Sequence, residues 1–224
     1  MEQVRSDLLH LVQIVETNRI ALKTDKIKKQ VPESFAAHAF NRWRRSLREH
    51  EVVRLYALWD QPGSKGKASV SVRALSASLS KDARTVLEHE VGSRLSLDAI
   101  LGDVVVTAEQ SAAAVRLVFS GVEAAQLRIS NVLGGEPFRR LEEMRHGHIA
   151  HRRTKEAIGI RFAQTQAAAI VDEDTVWDLV EETVAIVSAF ENVFGDCTDW
   201  IEQRAYYRRC GDALWANVVL NIKE

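Results

Sequence analysis

The chain has 224 residues, of which 46% are hydrophobic and 27% charged, with a formal net charge of −1. That is enough apolar material for a sizeable core. The balanced charge excludes a simple basic nucleic-acid glove, so any contact with RNA or DNA must be local.

Val4, Leu8, Leu11, Val15 and Leu22 recur at helical spacing and predict a first helix from Glu2 to Lys23. The charged N-terminal stretch lacks the apolar core of a signal peptide, and no apolar run reaches membrane-spanning length. Residues 23–30 are charged and polar and predict a loop or a fraying helix end. Pro32 suits a helix's first turn. It opens a second helix through Phe35, Ala39, Trp43 and Leu47 to Trp59, with a bend near His50. Pro62-Gly63-Ser64-Lys65-Gly66 predicts a surface loop. Short helices are expected over Val72–Leu79 and Lys81–Arg94.

Val115, Val118, Val122, Ala125, Ile129 and Val132 form one apolar stripe, predicting a helix over Val106–Leu133 that Gly134-Gly135 ends. Pro137 restarts the chain as a helix carrying Phe138, Leu141 and Met144. Val176, Leu179, Val180, Thr183, Val187, Phe190 and Phe194 predict a long amphipathic helix. Asp172-Glu173-Asp174 suits its positive end, and Gly195 its cap. A last helix is expected over Thr198–Asn217. The sum is an all-α bundle of about 6–8 helices. It reads as one domain over 1–224, with the helices of 1–60 as a dimerisation or accessory part. Cys197 and Cys210 read as reduced thiols of a cytoplasmic protein.

Three of the seven histidines fall within Arg145-His146-Gly147-His148-Ile149-Ala150-His151. Arginine keeps its charge and can fork onto a phosphate. Histidine exchanges protons near neutral pH. On an ideal helix Arg145 and His151 stand about 120° apart, a gap a long arginine side chain bridges. Three readings fit these residues. Histidines at a helix end can cap carbonyls and face solvent. His146, His148 and His151 could hold a metal, although they lack the four-residue spacing of a zincin helix and no acidic or cysteine ligand stands at a telling offset. Or Arg145 binds an RNA phosphate while His151 moves a proton.

The stretch Leu141-Glu142-Glu143-Met144-Arg145-His146-Gly147-His148-Ile149-Ala150-His151-Arg152 resembles the signature of the HEPN superfamily of helical nucleotide-binding domains. That signature is an Arg, usually followed by a polar residue, and a His after four to six intervening positions. Here five intervene and His146 takes the polar place. The Ile149-Ala150-His151 ending, with Tyr56-Ala57-Leu58-Trp59-Asp60 upstream, resembles the abortive-infection U-type branch.

The resemblance implies an all-helical domain that dimerises, so that Arg and His from two subunits line one cleft. It implies RNA cleavage without metal or cofactor, by attack of a 2′-hydroxyl on the adjacent phosphate. Arg145 would stabilise the charged phosphorane, His151 would transfer the proton, and His146 would orient the pair. His148 has no role in the pattern and reads as solvent-facing. A toxin role in phage defence follows, with an antitoxin protein as a possible partner. A tyrosine often stands two positions after the His in members paired with a nucleotidyltransferase antitoxin. Arg153 stands there, so modification of a tyrosine at that position is not implied. Arg152, Arg153 and Lys155 instead form a basic turn suited to an RNA backbone, or a solvated helix end. The same fold as a non-catalytic nucleotide- or protein-binding module is the alternative.

Two further basic groups read as structural first. Arg42, Arg44, Arg45 and Arg48 around Trp43 form a charged outer face. Arg204, Arg208 and Arg209 with Tyr206 and Tyr207 form a packing patch, although such mixtures can stack bases. Trp59, Trp177, Trp200 and Trp215 read as core or dimer anchors.

Overall fold

A computed structural model describes residues 1–23, 25–31, 35–60, 71–79, 81–102, 105–146, 171–195, 197–216 and 218–220. The architecture is all-α. The elements are α1 (Glu2–Lys23), α2 (Asp25–Lys28), α3 (Phe35–Trp59), α4 (Val72–Ser78), α5 (Lys81–Leu101), α6 (Ala108–Gly134), α7 (Glu136–Glu143), α8 (Glu173–Phe194) and α9 (Trp200–Ala216). Among the described residues no strand occurs, and no helix is long and apolar enough to cross a membrane.

Local signals explain most boundaries. Thr107 caps α6 through a reciprocal box: its hydroxyl accepts from the Gln110 N–H at 3.2 Å, and the Gln110 side chain accepts from the Thr107 N–H at 2.9 Å. Asp172 caps α8, accepting from the Thr175 N–H at 2.7 Å. That bond, made to the charged form, holds the Asp172 carboxyl below its usual range. Gly195 ends α8 with φ of 76°, in the left-handed region that favours glycine. Arg94 from α5 covers this end, donating to the carbonyls of Asn192 and Val193 at 3.2 Å each.

Two expectations need correction. The polar stretch after Lys23 contains the short helix α2, because Ile27 tucks into the interior at 1% exposure. The helix expected to stop near Arg94 continues to Leu101. Pro32, Pro62 and their neighbours lie outside the described residues.

The core is continuous from Val4, Leu8 and Leu11 of α1, through Val52, Leu55 and Trp59 of α3, to Ile186, Val187 and Phe190 of α8. Helix α3 lies alongside α8 in the same direction. Arg48 pairs with Glu173 near one end, and further along both helices the Trp59 indole donates to the Thr183 hydroxyl at 3.0 Å. Helix α9 packs against α1 closely enough that a Cβ on Gly211 would meet the α1 backbone at 2.9 Å. Beside that contact the buried Glu16 carboxylate accepts from Arg204 Nε at 3.0 Å and from Arg208 Nε at 3.1 Å. Losing one side of such a buried pair costs about 3–5 kcal/mol. Hence Arg204 and Arg208 stand in the fold as packing residues, as does Trp215, whose indole donates to the Thr17 carbonyl at 2.7 Å. The basic run on α3 is likewise engaged: Arg44 donates to the Leu22 carbonyl, Arg45 pairs with Glu49 and Arg48 with Glu173.

Glu51 is buried at 2% exposure between α1, α3 and α8, with Asn18 donating to it at 3.1 Å. Burial foremost raises its carboxyl from 4.5 to about 8. The folded protein therefore holds a proton that the unfolded chain releases. Its contribution to stability is complete below 4.5, falls as pH rises, and levels off above 8. Glu51→Gln keeps an acceptor for Asn18 without the proton. Relative to wild type it should gain on the order of 3 kcal/mol between about pH 5 and 8. Urea unfolding at several pH values checks this, and parallel profiles for the two proteins would contradict it.

Candidate functional site

The Gly134-Gly135 junction lets α7 leave α6, with Pro137 in its first turn. Phe138, Leu141 and Met144 are the buried face of this segment, at 2%, 0% and 5% exposure. Past Glu143 the helix widens into a π turn over Met144–His146. One extra residue per turn re-aims the side chains that follow, and such turns are frequent at functional sites. The ideal-helix angle between Arg145 and His151 involves positions 147–151, which lie outside the described residues.

The π turn faces Tyr56 of α3, itself buried at 5% exposure. The Arg145 guanidinium stacks on the Tyr56 ring with Cζ 4.3 Å from the centroid. A partly desolvated cation over an aromatic face gains about 0.5–2 kcal/mol. The same guanidinium lies 4.0 Å from a carboxylate oxygen of Asp60, one turn beyond Tyr56. With Arg145 31% and Asp60 46% exposed, that contact is loose and contributes little. Among the described residues the Arg145 guanidinium thus meets the Tyr56 ring and, loosely, the Asp60 carboxylate.

His146 meets Tyr56 edge-on, with centroids 5.6 Å apart at 83°. Its Nε2 lies 3.3 Å from the Tyr56 hydroxyl, which also donates to Glu142 at 3.2 Å. The hydroxyl has one proton. Given to Glu142, it leaves the oxygen to accept from an Nε2–H of His146. Burial first, then the charge and hydrogen bond of Glu142 and the charge of Asp60, raise the Tyr56 phenol, and Arg145 opposes them. The hydroxyl therefore stays protonated at neutral pH. Tyr56 also stacks on Phe138 (6.0 Å, 12°), which in turn packs on Trp59 (5.7 Å).

Of the residues singled out by sequence, Arg145 and His146 are thus brought together on one ring. His148, His151, Arg152, Arg153 and Lys155 lie outside the described residues. Three participants carried no role in the sequence reading. Tyr56 and Asp60, four apart on α3, share a helix face, and Glu142 stands one turn before His146. Both spacings are legible as helix neighbours. Among the described residues no group of three or more His, Cys, Asp or Glu could hold a metal. Cys197 and Cys210 are free and exposed.

The model of the HEPN family AbiU2 matches residues 2–214, which takes in α1 to α8 and all but the last two residues of α9. The chain is a HEPN protein, and it belongs to the AbiU2 family. No match is found among curated proteins, and none among solved structures.

The ring and the hydroxyl of Tyr56 have separable effects. Tyr56→Phe keeps both stacks and loses one hydroxyl bridge, with an expected cost of about 1 kcal/mol. Tyr56→Ala empties a buried aromatic site and should cost about 3–5 kcal/mol. Chemical denaturation of both variants checks the order, and equal losses would show that the ring contributes nothing beyond its hydroxyl.

Proposed function

We propose that this HEPN protein is a metal-independent endoribonuclease, acting as a growth-arresting toxin in abortive infection. The single observation that carries the proposal is the state of Arg145. It is a guanidinium over the Tyr56 ring, Cζ 4.3 Å from the centroid, with one loose acidic neighbour among the described residues, at the start of the family's Arg–His signature. In the proposed reaction the 2′-hydroxyl of RNA attacks the adjacent phosphorus and the 5′-oxygen leaves. His151 takes or returns the proton. Arg145 stabilises the charge that builds on the phosphorane oxygens. His146 orients this pair through Tyr56 and Glu142. Arg152, Arg153 and Lys155 add charge for the RNA backbone.

The proposal includes a single domain over 1–224, cytoplasmic and homodimeric, with residues 1–60 contributing to dimer contacts and the clefts of two subunits joined. An antitoxin protein would hold the active form in check. Balanced net charge fits local rather than extended RNA contact.

Purified protein should cut single-stranded RNA in EDTA. His151→Ala should slow cleavage by about 10²–10⁴-fold, and Arg145→Ala by about 10²–10³-fold, with unchanged circular dichroism. Equal cleavage by wild type and His151→Ala would overturn the assignment. Absence of cleavage by wild type under all conditions would favour a non-catalytic binding module. Light scattering at micromolar concentration tests the dimer.

A further inference from the structure

Four arginines bury an Nε that has no hydrogen-bond partner: Arg19, Arg44, Arg48 and Arg73. Three of them are anchored through another nitrogen. Arg19 pairs with Asp212 at 3.0 Å, Arg44 donates to the Leu22 carbonyl, and Arg48 pairs with Glu173. Arg73 differs. Among the described residues its guanidinium has no polar partner at all, only the face of Phe138 with Cζ 5.4 Å from the centroid. A half-buried guanidinium held solely by a ring is costly unless its donors meet an anion.

Arg73 is linked to Arg145 through two rings: Phe138 stacks on Tyr56, and Tyr56 carries Arg145. The contacts run Arg145, Tyr56, Phe138, Arg73, contributed by the π turn, α3, α7 and α4. Both rings are buried, at 5% and 2% exposure, so they serve as a platform for the two cations rather than as a surface for bases. Glu142 and Asp60 are held at the Tyr56 end of this series. Among the described residues Arg73 makes no ion pair. A strand whose scissile phosphate rests on Arg145 has further phosphates along it, at regular intervals, for a second fixed cation to meet.

We propose that Arg73 is a second phosphate-binding residue, taking a backbone phosphate of single-stranded RNA away from the scissile linkage while Arg145 takes the scissile one. The assignment rests on the ribonuclease reading for its substrate. Arg73 is a binding residue and takes no part in proton transfer.

The test measures binding apart from cleavage, on full-length protein carrying His151→Ala. Fluorescence anisotropy with a short labelled RNA is followed across a salt series. Adding Arg73→Gln should weaken binding about tenfold, and should reduce the slope of log K against log salt by about 0.7, the loss of one single-strand phosphate contact. Excess inorganic phosphate should not reproduce the difference between the two proteins, which separates a polyanion site from a free-anion site. Unchanged affinity and slope in Arg73→Gln would overturn the proposal while leaving the ribonuclease reading intact. Failure of the His151→Ala protein to bind any RNA would sink both. A second measurement needs no change at Arg73. Single neutral methylphosphonate linkages walked along the RNA should reveal one position, other than the cleaved linkage, whose neutralisation weakens binding. No such position would also overturn the assignment.

Discussion

The hydrogen bond from the Trp59 indole to the Thr183 hydroxyl indexes this fold. Trp59 is fully buried, and Thr183 passes the bond on by donating to the Leu179 carbonyl of its own helix at 2.6 Å. Inside a core an unpaired indole N–H would carry its whole desolvation cost. The pair therefore fixes α3 against α8 in rotation and in register. Everything at the candidate site hangs from that register. Tyr56 lies one turn before Trp59, and Phe138 touches both rings, so α7 can dock in only one way and its π turn arrives over Tyr56.

Charge is used in two ways. In the helix pair α1 and α9 it is closed on itself: the buried Glu16 carboxylate accepts from Arg204 and Arg208, beside the close approach at Gly211. Such a contact holds geometry. Around Tyr56 and Phe138 charge is held by aromatic faces. A ring supports a guanidinium without consuming its N–H donors, which keeps the cation oriented and still able to bind. The difference separates Arg204 and Arg208, engaged by a carboxylate, from Arg145 and Arg73.

Buried acids follow the same division. Glu191 accepts from the Thr198 hydroxyl at 2.7 Å and the Trp200 indole at 2.9 Å, closing the turn between α8 and α9. Glu51 receives one donor from Asn18, and burial outweighs it, so its proton stays on into the neutral range. The bundle thus carries a pH-dependent element on α3.

The helical class, most helix limits and the family signature were legible in the sequence, because apolar periodicity and caps act over a single turn. The stripe from Val115 to Val132, Gly195 as a helix cap and the acidic residues that open α8 are local physics, and they stand in the structure as read. Helix α2 was not legible, because the burial of Ile27 depends on packing against a neighbouring helix. The π turn was not legible either, since no local propensity encodes it. Tyr56 could be read as part of a motif, but its role could not. Only the packing of α3 on α7 puts its ring under Arg145 and its hydroxyl between Glu142 and His146. Arg73, unremarkable in a short serine- and alanine-rich segment, acquired meaning only when α4 brought it to the ring of Phe138. Residues that act within one turn announce themselves in sequence, whereas residues that act through a shared ring become visible only when distant helices meet.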